Sequence, residues 1–164
     1  MSRGVPGAAR KLLTHPAGWI ATGLGSGLAP IAPGTFGSLA ALIPWLALRG
    51  LPLPYYLLAL IAAFGIGVWA CQWTIRRLGV EDPGLVVWDE FVGLWIALIA
   101  LPDRWYFVIA GFVFFRFFDI AKPWPVRWAD RRIKGGFGTM LDDVFAGGYA
   151  LACVQALAWW MVRV

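Results

Sequence analysis

The sequence predicts an all-α membrane protein, a small polytopic bundle with about four to five membrane-embedded helices. Hydrophobic residues make up 60% of the chain and charged residues 14%, whereas a soluble domain is typically about 45–50% apolar and about 25% charged. The 11 Trp and 11 Phe residues also favour a membrane, because amphipathic aromatic rings gather at its interfaces. Apolar stretches, the longest near the ~20 residues of a membrane helix, alternate with short polar segments.

The predicted segments follow one another without an internal repeat or a linker, so residues 1–164 are expected to form a single domain. Residues 1–18 form a polar, basic lead, and residues 19–35 are rich in Gly and Pro, which predicts irregular backbone. At membrane depth such backbone is tolerated only where it is buried in protein or lines a cavity. A charged loop with a GGFG turn is expected over residues 122–140. The five helix candidates are residues 36–48, 54–73, 85–101, 105–121 and 144–162.

The basic residues predict an orientation. If the N-terminus lies inside and five helices alternate, only Arg49, Arg104 and Arg163 of the 14 Lys and Arg residues fall outside, which is a strong positive-inside bias. The acidic residues divide in the same way, with Asp103 alone outside, although the rule uses only basic residues. The net charge of +5 indicates anionic membrane lipid as a partner rather than nucleic acid, because the basic residues lie between apolar segments.

Five carboxylates are expected to meet at the inner ends of these helices. Asp89 and Glu90 begin the third apolar segment, Asp119 ends the fourth, and Asp142 and Asp143 begin the fifth. Clustered negative charges repel one another without a counter-ion. Carboxylate oxygens suit hard cations such as Mg²⁺, which binds one or two carboxylates together with water and substrate phosphate. The sequence therefore predicts a Mg²⁺ site formed by these five residues, with helix capping as the alternative role.

Basic and polar residues next to the carboxylates favour a phosphate ligand. Arg116 lies three residues before Asp119 on one helix face, and Lys122 follows three residues after it. The GTFGS stretch, Gly34 to Ser38, is either a turn with an N-cap or an anion site made of backbone N–H groups and Thr35. The candidate phosphate-binding residues are Thr35, Arg116, Lys122 and Arg127.

Several known kinds of phosphate-cleaving site can be excluded because the chain lacks their residues. His15 is the single histidine, which excludes a pair of catalytic histidines, and the chain has no D-x-D motif for an aspartyl-phosphate mechanism. Cys71 and Arg77 have the C-x5-R spacing of thiol phosphatases. Their segment, CQWTIRR, is helix-like and lacks the small residues that cradle phosphate, so Cys71 is expected to be a buried apolar residue.

Four blocks of the sequence, PGTFGSLAAL, VVWDEFVGLWIAL, FRFFDIAKPWPVRWADR and GGFGTMLDDVFAG, resemble the signature blocks of the phosphatidylglycerophosphatase A family. The resemblance runs from about Trp19 to Gly147. It implies a Mg²⁺-dependent phosphatase of the bacterial inner membrane that removes the terminal phosphate of phosphatidylglycerophosphate. The charge bias predicts that its site faces the cytoplasm. The family's KPWP block matches Lys122 to Pro125, and its acidic positions match Asp89, Glu90, Asp119, Asp142 and Asp143.

The expected mechanism is metal-assisted attack by water, in which Mg²⁺ polarises the phosphoryl oxygens. Lys122, with Arg116 or Arg127, would offset the charge on those oxygens. Asp119 or Glu90 would accept the proton of the water. The sequence does not exclude the alternative mechanism, in which a covalent phospho-Asp intermediate forms. The candidate catalytic residues are Asp89, Glu90, Asp119 and Asp143. A CDP-alcohol phosphotransferase-like enzyme, whose D-G-x2-A-R motif is missing, and a non-enzymatic membrane scaffold are the alternatives.

Overall fold

The structure, a computed structural model, describes residues 11–163, with side chains over 11–161. This part of the chain forms seven α-helices and no strand, which confirms the all-α class. The first ten residues of the predicted basic lead lie outside the described residues. The helices are α1 (Pro16–Ala21), α2 (Pro33–Leu48), α3 (Leu53–Leu78), α4 (Trp88–Ala97), α5 (Trp105–Ala121), α6 (Val126–Arg132) and α7 (Gly135–Arg163), with a 3-10 turn at Ser26–Leu28.

Two of these helices are long and apolar enough to cross a membrane. They are α3, with 26 residues, and the Gly135–Met161 part of α7, with 27 residues. Only 22% and 28% of their most apolar windows are buried, whereas the core helix of a soluble protein would be mostly buried. The exposed apolar faces of α3 and α7 therefore suit a membrane.

The third predicted helix is shorter than its apolar segment. Helix α4 has 10 residues, which corresponds to about 15 Å, too short to cross a hydrocarbon core of about 30 Å. The helix ends at Ala97, and just after it the side-chain amide of Gln155 donates to the backbone carbonyls of Ile99 and Ala100. The prediction of a helix over residues 85–101 is thus wrong at both ends, because apolar composition does not reveal where a buried helix stops.

Small residues fill the inside of the bundle and large apolar residues cover its outside. Ile43 and Ile61 are 73% and 70% exposed. Membrane helices pack in this manner, because small side chains let the backbones approach closely. Helix α4 lies at the centre against α2, α3, α5 and α7 and buries large residues as well, and Phe115 and Met140 of the neighbouring helices are also completely buried. The alanines that are completely buried are Ala17, Ala21, Ala41, Ala70, Ala97, Ala129, Ala146 and Ala150.

Helices α4 and α7 approach most closely at Gly93 and Gly147. A Cβ atom on Gly147 would lie 3.1 Å from the carbonyl carbon of Gly93, and one on Gly93 would lie 2.8 Å from the carbonyl oxygen of Asp143. Asp89 and Asp143 each precede these glycines by four residues, about one helical turn. The glycine crossing therefore brings both carboxylates to the same end of the bundle.

The segment rich in Gly and Pro has the irregular backbone that the sequence predicts, between α1 and α2. Gly23, Leu24 and Gly25 have positive φ angles, and the buried Thr22 hydroxyl donates to the carbonyl of Gly18 at 2.8 Å. The backbone N–H of Val87 donates to the carbonyl of Ala21, at the start of this segment. The irregular backbone is thus held against the residues that lead into α4.

Helix α7 starts earlier than the sequence predicts, at Gly135 rather than at Val144. The expected GGFG turn is helical because Gly136 packs against the backbone of α3, where its N–H donates to the side-chain oxygen of Gln72 at 3.0 Å. Asp142 and Asp143 consequently lie about two turns inside the helix. Their alternative role as N-terminal caps is wrong.

Candidate active site

One polar cavity of about 540 Å³ opens between the N-terminal ends of α2 and α4, the C-terminal end of α5 and the first turns of α7. All five predicted carboxylates line it, and so do Arg116 and Lys122. The helix ends that carry these residues thus meet at one cavity, and the metal and catalytic roles of the residues stay predictions. The five carboxylates are Asp89, Glu90, Asp119, Asp142 and Asp143.

Glu90 is held by two donors from neighbouring helices. The Ser38 hydroxyl on α2 donates to its Oε2 at 2.6 Å, and Arg116 on α5 forms an ion pair with the same oxygen. Arg116 Nη1 also lies 2.9 Å from Asp119 Oδ2. Ser38 is completely buried and Glu90 is only 8% exposed, so the Glu90 carboxylate fixes Arg116 at the wall of the cavity.

The first turn of α2 lies directly on this ion pair. A Cβ atom on Gly34 would meet the Glu90 carboxylate and would lie 3.2 Å from both Nη atoms of Arg116. Only a glycine leaves room for the ion pair at this position, so packing explains the glycine of the PGT sequence. The backbone N–H groups of a helix's first turn have no partner within the helix, and Gly34 lines the cavity.

Lys122 joins α6 and α7 at the other side of the cavity. Its Nζ lies 2.7 Å from Asp130 Oδ1 and 3.0 Å from Asp142 Oδ2. Burial lowers the pKa of Lys122, but the hydrogen bond that its ammonium donates to Asp130 and the charge of Asp142 raise the pKa by more. The net pKa lies above the ordinary value, so the ammonium stays protonated and available to a phosphate.

Asp89 and Asp143 form no ion pair with any cation in the described part of the chain. Asp143 is 3% exposed, and the buried Oδ1 of Asp142 has no hydrogen-bond partner. These oxygens suit Mg²⁺, which needs only one or two carboxylates beside water and phosphate. Within residues 11–161, no three His, Cys, Asp or Glu side chains form a ready group of metal ligands. Glu90 and Asp119 are instead paired with Arg116.

Two predicted phosphate ligands lie elsewhere. Thr35 does not line the cavity, although its neighbour Gly34 does. Arg127 lines a separate cleft with Trp124 and Trp128. The thiol alternative also fails, because Cys71 is completely buried and its sulfur packs 3.9 Å from that of Met140.

Four residues that position the site were missed by the sequence analysis: Ser38, Gly93, Asp130 and Gly147. A signal was present for the glycines, because Asp89 and Gly93, and also Asp143 and Gly147, form the same D-x3-G pattern. That pattern places a carboxylate and a close-packing residue on one helix face. Asp130 would have been found if α6 had been predicted inside the charged loop.

The fold and this cavity define a class of protein: a helix bundle with two helices long and apolar enough to cross a membrane and, at one end, a cavity lined by carboxylates, Arg116 and Lys122. More specifically, the chain belongs to the phosphatidylglycerophosphatase A family, whose model matches residues 19–158. This finding confirms the resemblance seen in the sequence blocks.

Individual relatives cover most of the chain. It is 50% identical to phosphatidylglycerophosphatase A of Escherichia coli strain K12 over 139 residues, 84% of this chain and 81% of the relative. It is 45% identical to the protein of the same name from Haemophilus influenzae over 92% and 93% of the two chains. A Bacteroides thetaiotaomicron protein named putative phosphatidylinositol-3-phosphatase is 48% identical over 85% and 92%. No solved structure matches the chain.

Proposed function

We propose that this chain hydrolyses the terminal phosphomonoester of phosphatidylglycerophosphate, giving phosphatidylglycerol and phosphate. The observation that carries the proposal is the cavity in which unpaired carboxylates face two cations, Arg116 and Lys122. The substrate comes from the names of the two relatives above. Family membership leaves the phosphotransferase and scaffold alternatives without support.

Asp89 and Asp143, the two cavity carboxylates without an ion pair among the described residues, would hold Mg²⁺. When bound, the ion would supply Lewis acidity toward the phosphoryl oxygens and lower the pKa of a water. Asp143 is buried and Asp89 is half-buried, which supports this role, because like charges at low dielectric need a cation.

Arg116 and Lys122 would bind the phosphoryl oxygens from opposite sides of the cavity. Charge stabilisation and positioning supply most of the catalysis in phosphoryl transfer, and both cations are held in place by carboxylates. The N–H of Gly34, at the N-terminal end of α2, would add an anion-binding donor. Asp119 is the better proton acceptor of the two candidates, because its ion pair with Arg116 uses only Oδ2. Glu90 accepts from Ser38 and Arg116 at Oε2, and its Oε1 packs against Gly34.

The proposed setting is the bacterial inner membrane, with the cavity facing the cytoplasm. Helices α2 and α5, with 16 and 17 residues, would join α3 and α7 as membrane-embedded helices around α4. The cavity end carries most of the described basic residues, whereas Arg49 and Arg104 lie at the opposite end. The positive-inside rule then favours this orientation.

The relative named for phosphatidylinositol-3-phosphatase favours a second candidate, a lipid phosphomonoesterase with a different headgroup. Purified chain in detergent micelles with Mg²⁺ would be given phosphatidylglycerophosphate or phosphatidylinositol 3-phosphate, and released phosphate would be measured. We expect faster release from phosphatidylglycerophosphate. Preference for the inositol lipid would assign the second function, and no release from either lipid would contradict a phosphatase.

A further inference from the structure

A cleft of about 380 Å³, built on α6, lies beside the polar cavity of the proposed active site, which we call the catalytic cavity. We name the cleft the α6 cleft. It shares Lys122 and Arg131 with the catalytic cavity, so the two lie next to each other at the same end of the bundle. Its other main lining residues are Trp124, Arg127, Trp128 and Arg132.

The backbone of the α6 cleft is fixed to the bundle. Val126 and Ala129 are completely buried and hold one face of α6 against the protein. The Tyr149 hydroxyl on α7 donates to the carbonyl oxygen of Trp124 at 2.7 Å, and its ring stacks on Phe118 of α5. The other face of α6 therefore presents its arginines and Trp128 outward from a fixed position.

Three arginines of the cleft have no carboxylate partner. Lys122 is paired with Asp130 and Asp142. In contrast, Arg127, Arg131 and Arg132 are exposed and form no ion pair with any described residue. Three guanidinium groups within seven residues of helix make a site for anions, and guanidinium binds phosphate oxygens in bidentate geometry.

Two exposed tryptophans favour a ligand with an apolar part as well as a charge, which a soluble anion lacks. Trp124 is 77% exposed and Trp128 is 47% exposed, both beside the arginines. Such rings are stable at the level of lipid headgroups, where one part meets acyl chains and the other meets water. A basic surface with exposed tryptophans therefore favours an anionic lipid surface over a free phosphate or an acidic peptide.

We propose that the α6 cleft binds the phosphodiester headgroup of an anionic phospholipid in the leaflet that faces the catalytic cavity. This lipid is not the substrate; it holds α6 at headgroup height. Because the α6 cleft and the catalytic cavity share Lys122 and Arg131, the bound lipid places the mouth of the catalytic cavity where lipid phosphates lie. The inference goes beyond the proposed hydrolysis and does not depend on it.

The test measures lipid retention by the full-length chain in detergent micelles that contain phosphatidylserine or phosphatidylcholine, read by native mass spectrometry. Phosphatidylserine is anionic but is neither the proposed substrate nor its product. The double variant Arg127→Gln/Arg132→Gln changes the α6 cleft without touching a lining residue of the catalytic cavity. Its matched control, Arg76→Gln/Arg77→Gln, removes two exposed arginines from the last turn of α3.

We expect the wild type to prefer phosphatidylserine over phosphatidylcholine. The cleft variant should bind phosphatidylserine about tenfold or more weakly, because two basic residues near an anionic surface are lost, while the control pair should change binding by about twofold or less. Asp143→Asn should retain phosphatidylserine as the wild type does, since Asp143 lies only in the catalytic cavity.

Three results would overturn the proposal. Equal loss in both arginine pairs would assign the effect to net charge, and a change of retention in either direction in Asp143→Asn would place the lipid phosphate in the catalytic cavity. Unchanged retention in the cleft variant would show that the cleft does not bind lipid. Thermal unfolding checks that each variant is folded; if the arginine pair unfolds, Trp128→Ala replaces it and must also lower phosphatidylserine retention.

Discussion

At the scale of single residues, the catalytic cavity depends on a buried hydroxyl that carries no charge. Ser38 donates to the same Glu90 oxygen that Arg116 contacts. A carboxylate that accepts from both is fixed in direction, and Arg116 is fixed with it. The charged members of this group can be recognised in the sequence, because a charge inside an apolar segment is costly and therefore indicates a functional role. Ser38 does not, since a serine near a helix start is common.

Replacing Ser38 with Ala should lower turnover by about tenfold while leaving the apparent affinity for the lipid nearly unchanged, because residues that orient a binding group typically contribute about 10–100-fold. Steady-state phosphate release from purified variants measures this. Ser26→Ala is the matched control, since its hydroxyl bonds only to the nearby carbonyl of Gly23. Equal effects of the two substitutions would show that Ser38 has no special role.

At the scale of helices, the decisive contact is the crossing of α4 and α7 at Gly93 and Gly147. The sequence indicates which segments are apolar, and five of the seven described helices coincide with predicted segments. Their ends were less predictable, because Gln155 binds the carbonyls of Ile99 and Ala100 just after α4 ends, and α7 starts where Gln72 binds an N–H of its first turn. Both partners are distant in the sequence, so a local pattern does not reveal them.

Gly147→Ala should destabilise the protein by about 1–3 kcal/mol, because an added methyl group in a packed contact forces the backbones apart, and it should reduce activity by separating Asp143 from Asp89. The neighbouring substitution Gly148→Ala is the control. No atom lies within 4 Å of a Cβ at Gly148, so that change should stabilise the helix by about 0.5–1 kcal/mol. Thermal unfolding in detergent compares the two. If Gly147→Ala were as stable as Gly148→Ala, the crossing would not depend on a glycine.

At the scale of the whole molecule, the charge bias predicts that the inner ends of the helices meet, and the structure brings the same ends together around the catalytic cavity. The sequence could not predict how the carboxylates divide between roles. Glu90 and Asp119 pair with Arg116, and Asp142 pairs with Lys122, whereas Asp89 and Asp143 form no ion pair among the described residues. This division depends on which carboxylates lie within reach of Arg116 and Lys122, and that is decided by how the helices pack.

The proposed orientation predicts opposite labelling of two exposed positions. Single cysteines at Asp82, which lines the catalytic cavity, and at Asp103, at the other end, would be placed in a chain whose Cys71 and Cys153 are replaced by Ala. An impermeant thiol reagent applied to spheroplasts should label the cysteine at position 103 and leave the one at 82 unlabelled until the cells are lysed. The reverse pattern would place the catalytic cavity on the periplasmic side.

The central claim is that Asp89 and Asp143 hold a Mg²⁺ ion that phosphomonoester hydrolysis requires. The most direct measurement is phosphate release from phosphatidylglycerophosphate by the purified wild type, Asp89→Asn and Asp143→Asn, each with EDTA and with increasing Mg²⁺. We predict that EDTA abolishes wild-type activity and Mg²⁺ restores it. Both variants should unfold at nearly the wild-type temperature, lose at least about 10–100-fold in activity and need more Mg²⁺. Full activity in EDTA, or wild-type activity and Mg²⁺ requirement in both folded variants, would contradict the claim.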